Sequence, residues 1–278
     1  MRERRFVVEQ ETNICKLYLD GCTTLNLSRK FNCGYGTIYN VLARNKIIKR
    51  TSGSYRIHKP LNLSKDIEDY LVGDILSDAH ISRPIGNGNS QLQWGVKHKE
   101  YAEYLAGIYN KEYFKINIES RKHYNKKYRR WYSGWKINSG RNITFTELRV
   151  KWYPKRKKII PEDLILTSKT CLHWYLGDGC LHKKECSITL HTNGFAKKDV
   201  NFLIKKLKKI EIKSTKNKQG KNFIIRISRI EARKFLDYIG QCPISCYDYK
   251  WDWRVPDSIL RREENKRIIK EKFLKSKS

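Results

Sequence analysis

Two stretches decide how this chain is read: YLVGDILSDAHI (70–81) and LHWYLGDGCL (172–181). Each is an apolar, helix-forming run that ends in a small residue followed by an aspartate, Ser77-Asp78 in the first and Gly177-Asp178 in the second. The two aspartates stand 100 residues apart. Ile67, Leu71 and Ile75 follow i, i+4, i+8 spacing, which places one apolar stripe along the first helix. Small residues at Gly73, Ser77, Ala79, Gly177 and Gly179 let two such helices pack side by side, bringing both helix ends and both carboxylates together. Adjacent acids repel, and a divalent cation between them relieves the repulsion. Oxygen donors of this kind suit magnesium rather than zinc. Asp74 lies one turn before Asp78, but Trp174 stands at the matching place in the second stretch, so Asp74 is discounted as a ligand.

Outward from these stretches the chain repeats itself. Gln91, Gln93, Gly95 and Lys97 alternate with Leu92, Trp94 and Val96, and Ser187, Thr189 and His191 alternate with Ile188 and Leu190, as strands with one buried face do. A helix follows in each half (102–110 and 198–209). Next comes a strand, WYSGWKIN (131–138) burying Trp131, Trp135 and Ile137, and NFIIRIS (222–228) burying Phe223, Ile225 and Ile227. Each half has a last amphipathic helix (144–152 and 231–239) and a closing lysine, Lys158 in KRKKIIP and Lys250 in CYDYKW, with Lys157 a competitor for the first. The expected fold class is α+β: two pseudo-symmetric αββαββα halves (64–165 and 166–256) forming a saddle of antiparallel sheets. Helices cover one face of the sheets and the polar faces are left for a ligand.

Residues 1–50 read as a small all-α helix-turn-helix, with helices near 9–20, 24–31 and 35–43. Leu25, Leu27 and Phe31 hold the second helix, and Ile38, Val41 and Leu42 face inward on the third. The third helix would present Tyr35, Thr37, Asn40 and Arg44 to a major groove. Residues 51–63 mix Ser, Gly and Pro as a linker does, and 257–278 form a basic tail.

Composition points to the same partner. The chain has 278 residues, with 59 Lys and Arg against 28 Asp and Glu, a formal charge of +31. Such an excess calls for a polyanion. No run of 18 apolar residues and no apolar leader after MRERRF is present, which argues against a membrane or secreted protein. The expectation is an intracellular protein, in cytoplasm, nucleoid or organelle matrix, and eight cysteines read as free thiols of a reducing compartment. Between 121 and 158, 14 basic residues face the single acid Glu147, a surface suited to phosphates. Cys180, His182, Cys186 and His191 suggest zinc, but their spacing fits no usual zinc unit. On the sheets, Gln91, Gln93, Lys97, Lys136, Thr189, His191, Arg226 and Ser228 are the base-reading candidates.

The two opening stretches resemble the motifs of the LAGLIDADG homing endonucleases in their single-chain, two-motif form, over roughly residues 64 to 255. That resemblance implies a double-strand DNA endonuclease acting as a monomer. Asp78 and Asp178 would bind Mg2+ (or Mn2+) and activate water, the backbone carbonyls of Ser77 and Gly177 would be further ligands, and Lys158 and Lys250 would polarise water and phosphate. A non-cleaving DNA-binding regulator, or a maturase on the same fold with RNA as partner, is the alternative. Ala79 replaces the motif's final glycine, His173 takes a position that is small in the family and so implies a looser helix interface, and the helix-turn-helix lies outside the family domain. Affinity for double-stranded DNA should fall steeply with salt, with a log-log slope of about −0.9 per neutralised phosphate. A flat response in a fluorescence-anisotropy titration would remove the polyanion reading.

Overall fold

The computed structural model describes residues 6–47, 60–84, 88–110, 114–126 and 128–253. Most of the expected linker and all of the basic tail fall outside these. The chain divides into two compact units, one of residues 1–62, 81–92 and 140–149, the other of 63–80, 93–139 and 150–278.

Three helices open the chain: α1 (Val8–Leu19), α2 (Thr24–Lys30) and α3 (Tyr35–Arg44). Thr23 caps α2 by accepting a hydrogen bond from the Asn26 amide at 3.1 Å. Ile14, Tyr18, Leu27, Ile38, Val41 and Leu42 make a core of their own. Leu25, expected inside, is 38% exposed, because only Leu27 and Ser28 of this short helix face the core. Glu11, almost buried on α1, pairs with Arg44 and accepts from Asn45 at 3.3 Å, tying α1 to the end of α3.

The remaining elements occur twice in one order. The first set is α4 (Lys65–Leu76), β1 (His80–Ile81), β2 (Leu92–Val96), α5 (Lys99–Tyr109), β3 (Asn117–Asn125), β4 (Arg130–Asn138) and α6 (Ile143–Trp152). The second is α7 (Ser168–Asp178), β5 (Gly179–His182), β6 (Ser187–Leu190), α8 (Lys197–Lys209), β7 (Ser214–Gln219), β8 (Asn222–Ile227) and α9 (Arg229–Ile239). Both four-stranded sheets have the same order, β1-β2-β4-β3 and β5-β6-β8-β7, and their central pairs are antiparallel. Leu92, Trp94 and Val96 are buried while Gln93 and Gly95 are not, as alternation requires. Trp131 departs from expectation. It shares a strand face with buried Ile137 but is 67% exposed, since it lies far along the long β3–β4 hairpin and meets Tyr124 instead of the core. No helix among the described residues is long and apolar enough to cross a membrane.

Helices α4 and α7 pack directly against each other. A Cβ added at Gly73 would lie 2.4 Å from the Thr170 carbonyl oxygen and 2.7 Å from His173 Cβ, and one at Gly177 would lie 2.6 Å from Ser77 Cβ. The expectation of a looser interface at His173 is therefore corrected: the glycine opposite admits the His173 Cβ, and the imidazole stays fully buried with Nδ1 2.8 Å from Asp74 Oδ1. Gly73→Ala should cost about 1–3 kcal/mol by overpacking, whereas Gly95→Ala, where a Cβ meets nothing within 4 Å, should change the denaturation midpoint little. Equal midpoints for the two variants would contradict this seam.

Candidate active site

The seam ends where the two aspartates sit. Ser77 closes α4 and Asp78 follows it, and Asp178 is the last residue of α7. Gly177 abuts Ser77, and a Cβ there would stand 3.2 Å from Asp78 Oδ2. Two carboxylates thus emerge beside one another at two carbonyl-rich helix ends, both electronegative.

Each helix end is met by one lysine. Lys158 Nζ donates to the Ser77 carbonyl at 3.3 Å, and Lys250 Nζ donates to the Leu176 and Tyr175 carbonyls at 2.6 and 3.2 Å. Lys157 is exposed, so Lys158 is the lysine that reaches the site. Lys250 is 5% exposed, enclosed by the rings of Tyr247 and Tyr175, and Tyr175 in turn donates to the Lys250 carbonyl at 2.7 Å. Such pairing satisfies the orphan carbonyls of a helix terminus.

Burial dominates the electrostatics. The protein packed around the Asp178 carboxyl, and then the negative Asp78, push its pKa up to about 7. Asp78 is exposed on one side, yet the protein behind it also raises its pKa, against the opposing pull of Lys250 and Lys158. Burial lowers Lys158 and Lys250 to about 8, although both aspartates hold them up. Four ionisable groups are crowded where water cannot fully solvate them, a pattern typical of functional sites.

The donor set fits a hard divalent cation. It offers two carboxylates and backbone carbonyls, and the strained acids would gain from a counter-ion. Among the described residues no group of three His, Cys, Asp or Glu is placed to hold an ion. The remaining ligands of such a cation would have to be backbone carbonyls and water.

The other sequence candidates are placed unevenly. Gln93 is half-buried and donates to Asn138 Oδ1 at 3.1 Å; Lys136 and Gln91 are half-buried, and Lys97 and Ser228 are exposed. Thr189 is not on an open surface: it is 2% exposed and its hydroxyl lies 2.8 Å from His182 Nε2. Its cross-strand neighbour Arg226 pairs with Glu185 and donates to Ser187 Oγ at 3.0 Å. His191 is half-buried. On α3, Tyr35 and Asn40 are exposed and Thr37 half-buried. Arg44 is not free to face a groove, because its guanidinium is taken by Glu11.

A model of the LAGLIDADG DNA endonuclease family matches residues 69–235. The chain belongs to that family. It is 30% identical over 203 residues to a probable intron-encoded endonuclease of Wickerhamomyces canadensis, covering 68% of this chain and 84% of that one. A cytochrome b mRNA maturase of Debaryomyces hansenii is 29% identical, over 63% of this chain and 68% of its own. Among solved structures, the homing endonuclease I-WcaI bound to its DNA recognition sequence superposes with a TM-score of 0.62 at 25% identity, covering 71% of this chain and 89% of that one.

The raised Asp178 pKa gives a stability test. Below the unfolded value of 3.8 the group is protonated in both states and costs nothing. Between there and about 7 the unfolded chain ionises first, so native stability falls as pH rises, and above 7 the loss is complete. Metal-free Asp178→Asn should therefore be more stable than wild type at pH 8, by on the order of 1–2 kcal/mol, with the gain vanishing near pH 4. Urea unfolding at the two pH values reads this directly, and a pH-independent difference would contradict it.

Proposed function

We propose that this protein is a site-specific endonuclease that hydrolyses both strands of double-stranded DNA, as homing endonucleases do, using Mg2+ or Mn2+. The observation that carries this reading is the meeting of Asp78 and Asp178 across a seam of two family-motif helices, each end met by a lysine, Lys250 buried and Lys158 half-buried. The likeness to the W. canadensis endonuclease and to DNA-bound I-WcaI supports DNA as substrate.

In this reading Asp78 and Asp178 hold the cation, with the Ser77 and Gly177 carbonyls available as further ligands. The ion, when bound, supplies activation of water and neutralisation of charge developing on the scissile phosphate. Lys158 and Lys250 orient water and phosphate beside the acids. With pKa values lowered to about 8, they can give up or take a proton near neutral pH. Gln91, Gln93, Lys97, Lys136, His191 and Ser228 read base edges from the sheets, joined by Arg226 when it exchanges Glu185 for a base edge. Tyr35, Thr37 and Asn40 of α3 extend the contact. Residues 64–165 and 166–256 would act as the two halves of a cutting monomer, with residues 1–50 as a separate DNA-binding domain.

A second reading, splicing of an intron RNA, is favoured by the D. hansenii maturase relative alone. Incubation with Mg2+ and a plasmid carrying the gene's own insertion locus, joined without the insert, separates the two. Linearisation is expected. Asp78→Asn or Asp178→Asn should abolish it with DNA binding retained, and Lys250→Met should slow it by about 10²-fold. Cleavage by the doubly substituted Asp78→Asn/Asp178→Asn protein would overturn the assignment.

A further inference from the structure

One turn back from the aspartates, the seam holds a second ionisable cluster that the proposed chemistry does not use. Asp74 on α4 is 1% exposed and His173 on α7 is fully buried, with Nδ1 2.8 Å from Asp74 Oδ1. The Tyr109 hydroxyl, at the end of α5, donates to the other Asp74 oxygen at 2.5 Å. Tyr104 of α5 lies 3.4 Å from His173 Nε2, and the Tyr70 ring covers the imidazole at 4.4 Å between centroids. The Asp74 main chain is tied to the motif end as well: its carbonyl accepts from Ser77 at 3.1 Å and from Ala79 at 2.8 Å, on either side of Asp78.

This cluster has no copy in the second half. Asp74 answers to Trp174 and His173 to Gly73, so the repeat supplies this side-chain bridge once. Nearer the start of the helices Thr170 Oγ1 donates to the Asp69 carbonyl at 3.0 Å and Lys169 pairs with Asp66, which leaves Asp74–His173 as the bridge next to the aspartates. A buried polar pair adds little stability that well-packed apolar residues could not supply, while its directed contacts fix register. Register matters at this seam. Small residues pack closely but smoothly, and a slip of one residue moves a helix by about 1.5 Å, enough to separate groups that must meet at a phosphate.

We propose that Asp74 and His173 are positioning residues that lock the register of α4 against α7 and thereby set the spacing of Asp78 and Asp178. The claim rests on the endonuclease reading, but its geometric half does not. Asp74→Leu/His173→Leu removes the bridge while filling its volume. His173→Asn keeps a donor where Nδ1 stands, and His173→Gln moves that donor outward by one bond.

The experiment combines crystal structures of the full-length variants with single-turnover cleavage and DNA affinity. The expected result is a shift of about 1 Å or more between Ser77 and Gly177 in the Leu/Leu and Gln variants. Cleavage of prebound DNA should be at least about 10²-fold slower in both, with affinity within about threefold of wild type. His173→Asn should keep the wild-type seam and cut within about tenfold of wild type. If the Leu/Leu protein does not fold, the Asn and Gln pair carries the test. An unshifted seam in the Gln variant, or equal cleavage by Asn and Gln where wild type cuts, overturns the proposal. The seam measurement reads it even on a chain that cuts nothing, so a failure of the endonuclease reading is seen separately.

Discussion

The two repeated halves of the chain are organised by the close approach of α4 and α7. At Gly73 and Gly177 there is no room for even a Cβ without moving backbone or a neighbouring side chain. Helices that approach so nearly bring their ends together, and here both ends carry an aspartate. Everything distinctive about the site follows from that approach: two like charges side by side, two sets of helix-terminal carbonyls, and two lysines drawn in to meet them. The sheets repeat the same strand order in either half, and the seam joins the helix that leads into each of them.

The site is built against its own stability. Burial raises the acids and lowers the lysines, so each group is held away from the charge it would carry in water. Such stress is characteristic of groups placed for chemistry rather than for folding. A cation and a phosphate diester would relieve it from opposite sides, the cation by pairing with the carboxylates and the phosphate by pairing with the lysines. That complementarity is the physical reason for reading the site as one for phosphodiester hydrolysis.

Much of this was legible in the sequence because it is periodic. The repeat of helix, two strands, helix, two strands, helix follows from alternation and from apolar spacing, and the paired Ser77-Asp78 and Gly177-Asp178 stand out once the repeat is seen. What was not legible is set by contacts between distant residues. Arg44 looks like a groove-facing cation until Glu11, 33 positions earlier, claims it. Thr189 alternates correctly, yet His182 from the neighbouring strand closes over it. Trp131 has the right parity to be buried but lies beyond the end of the core. Asp74 has no counterpart in the repeat, so the repeat alone does not point to it. An acid inside an apolar helix stripe was itself a signal, since a carboxylate at such a position must find partners, and here it found His173 and Tyr109.

The central claim is that one metal centre is shared by both halves of the chain. A crystal structure of the full chain with Mn2+ and target DNA, phased on the manganese anomalous signal, tests it most directly. Anomalous density is expected within about 2 Å of carboxylate oxygens from both Asp78 and Asp178. Density touching only one of these residues, or lying elsewhere in the molecule, would contradict it.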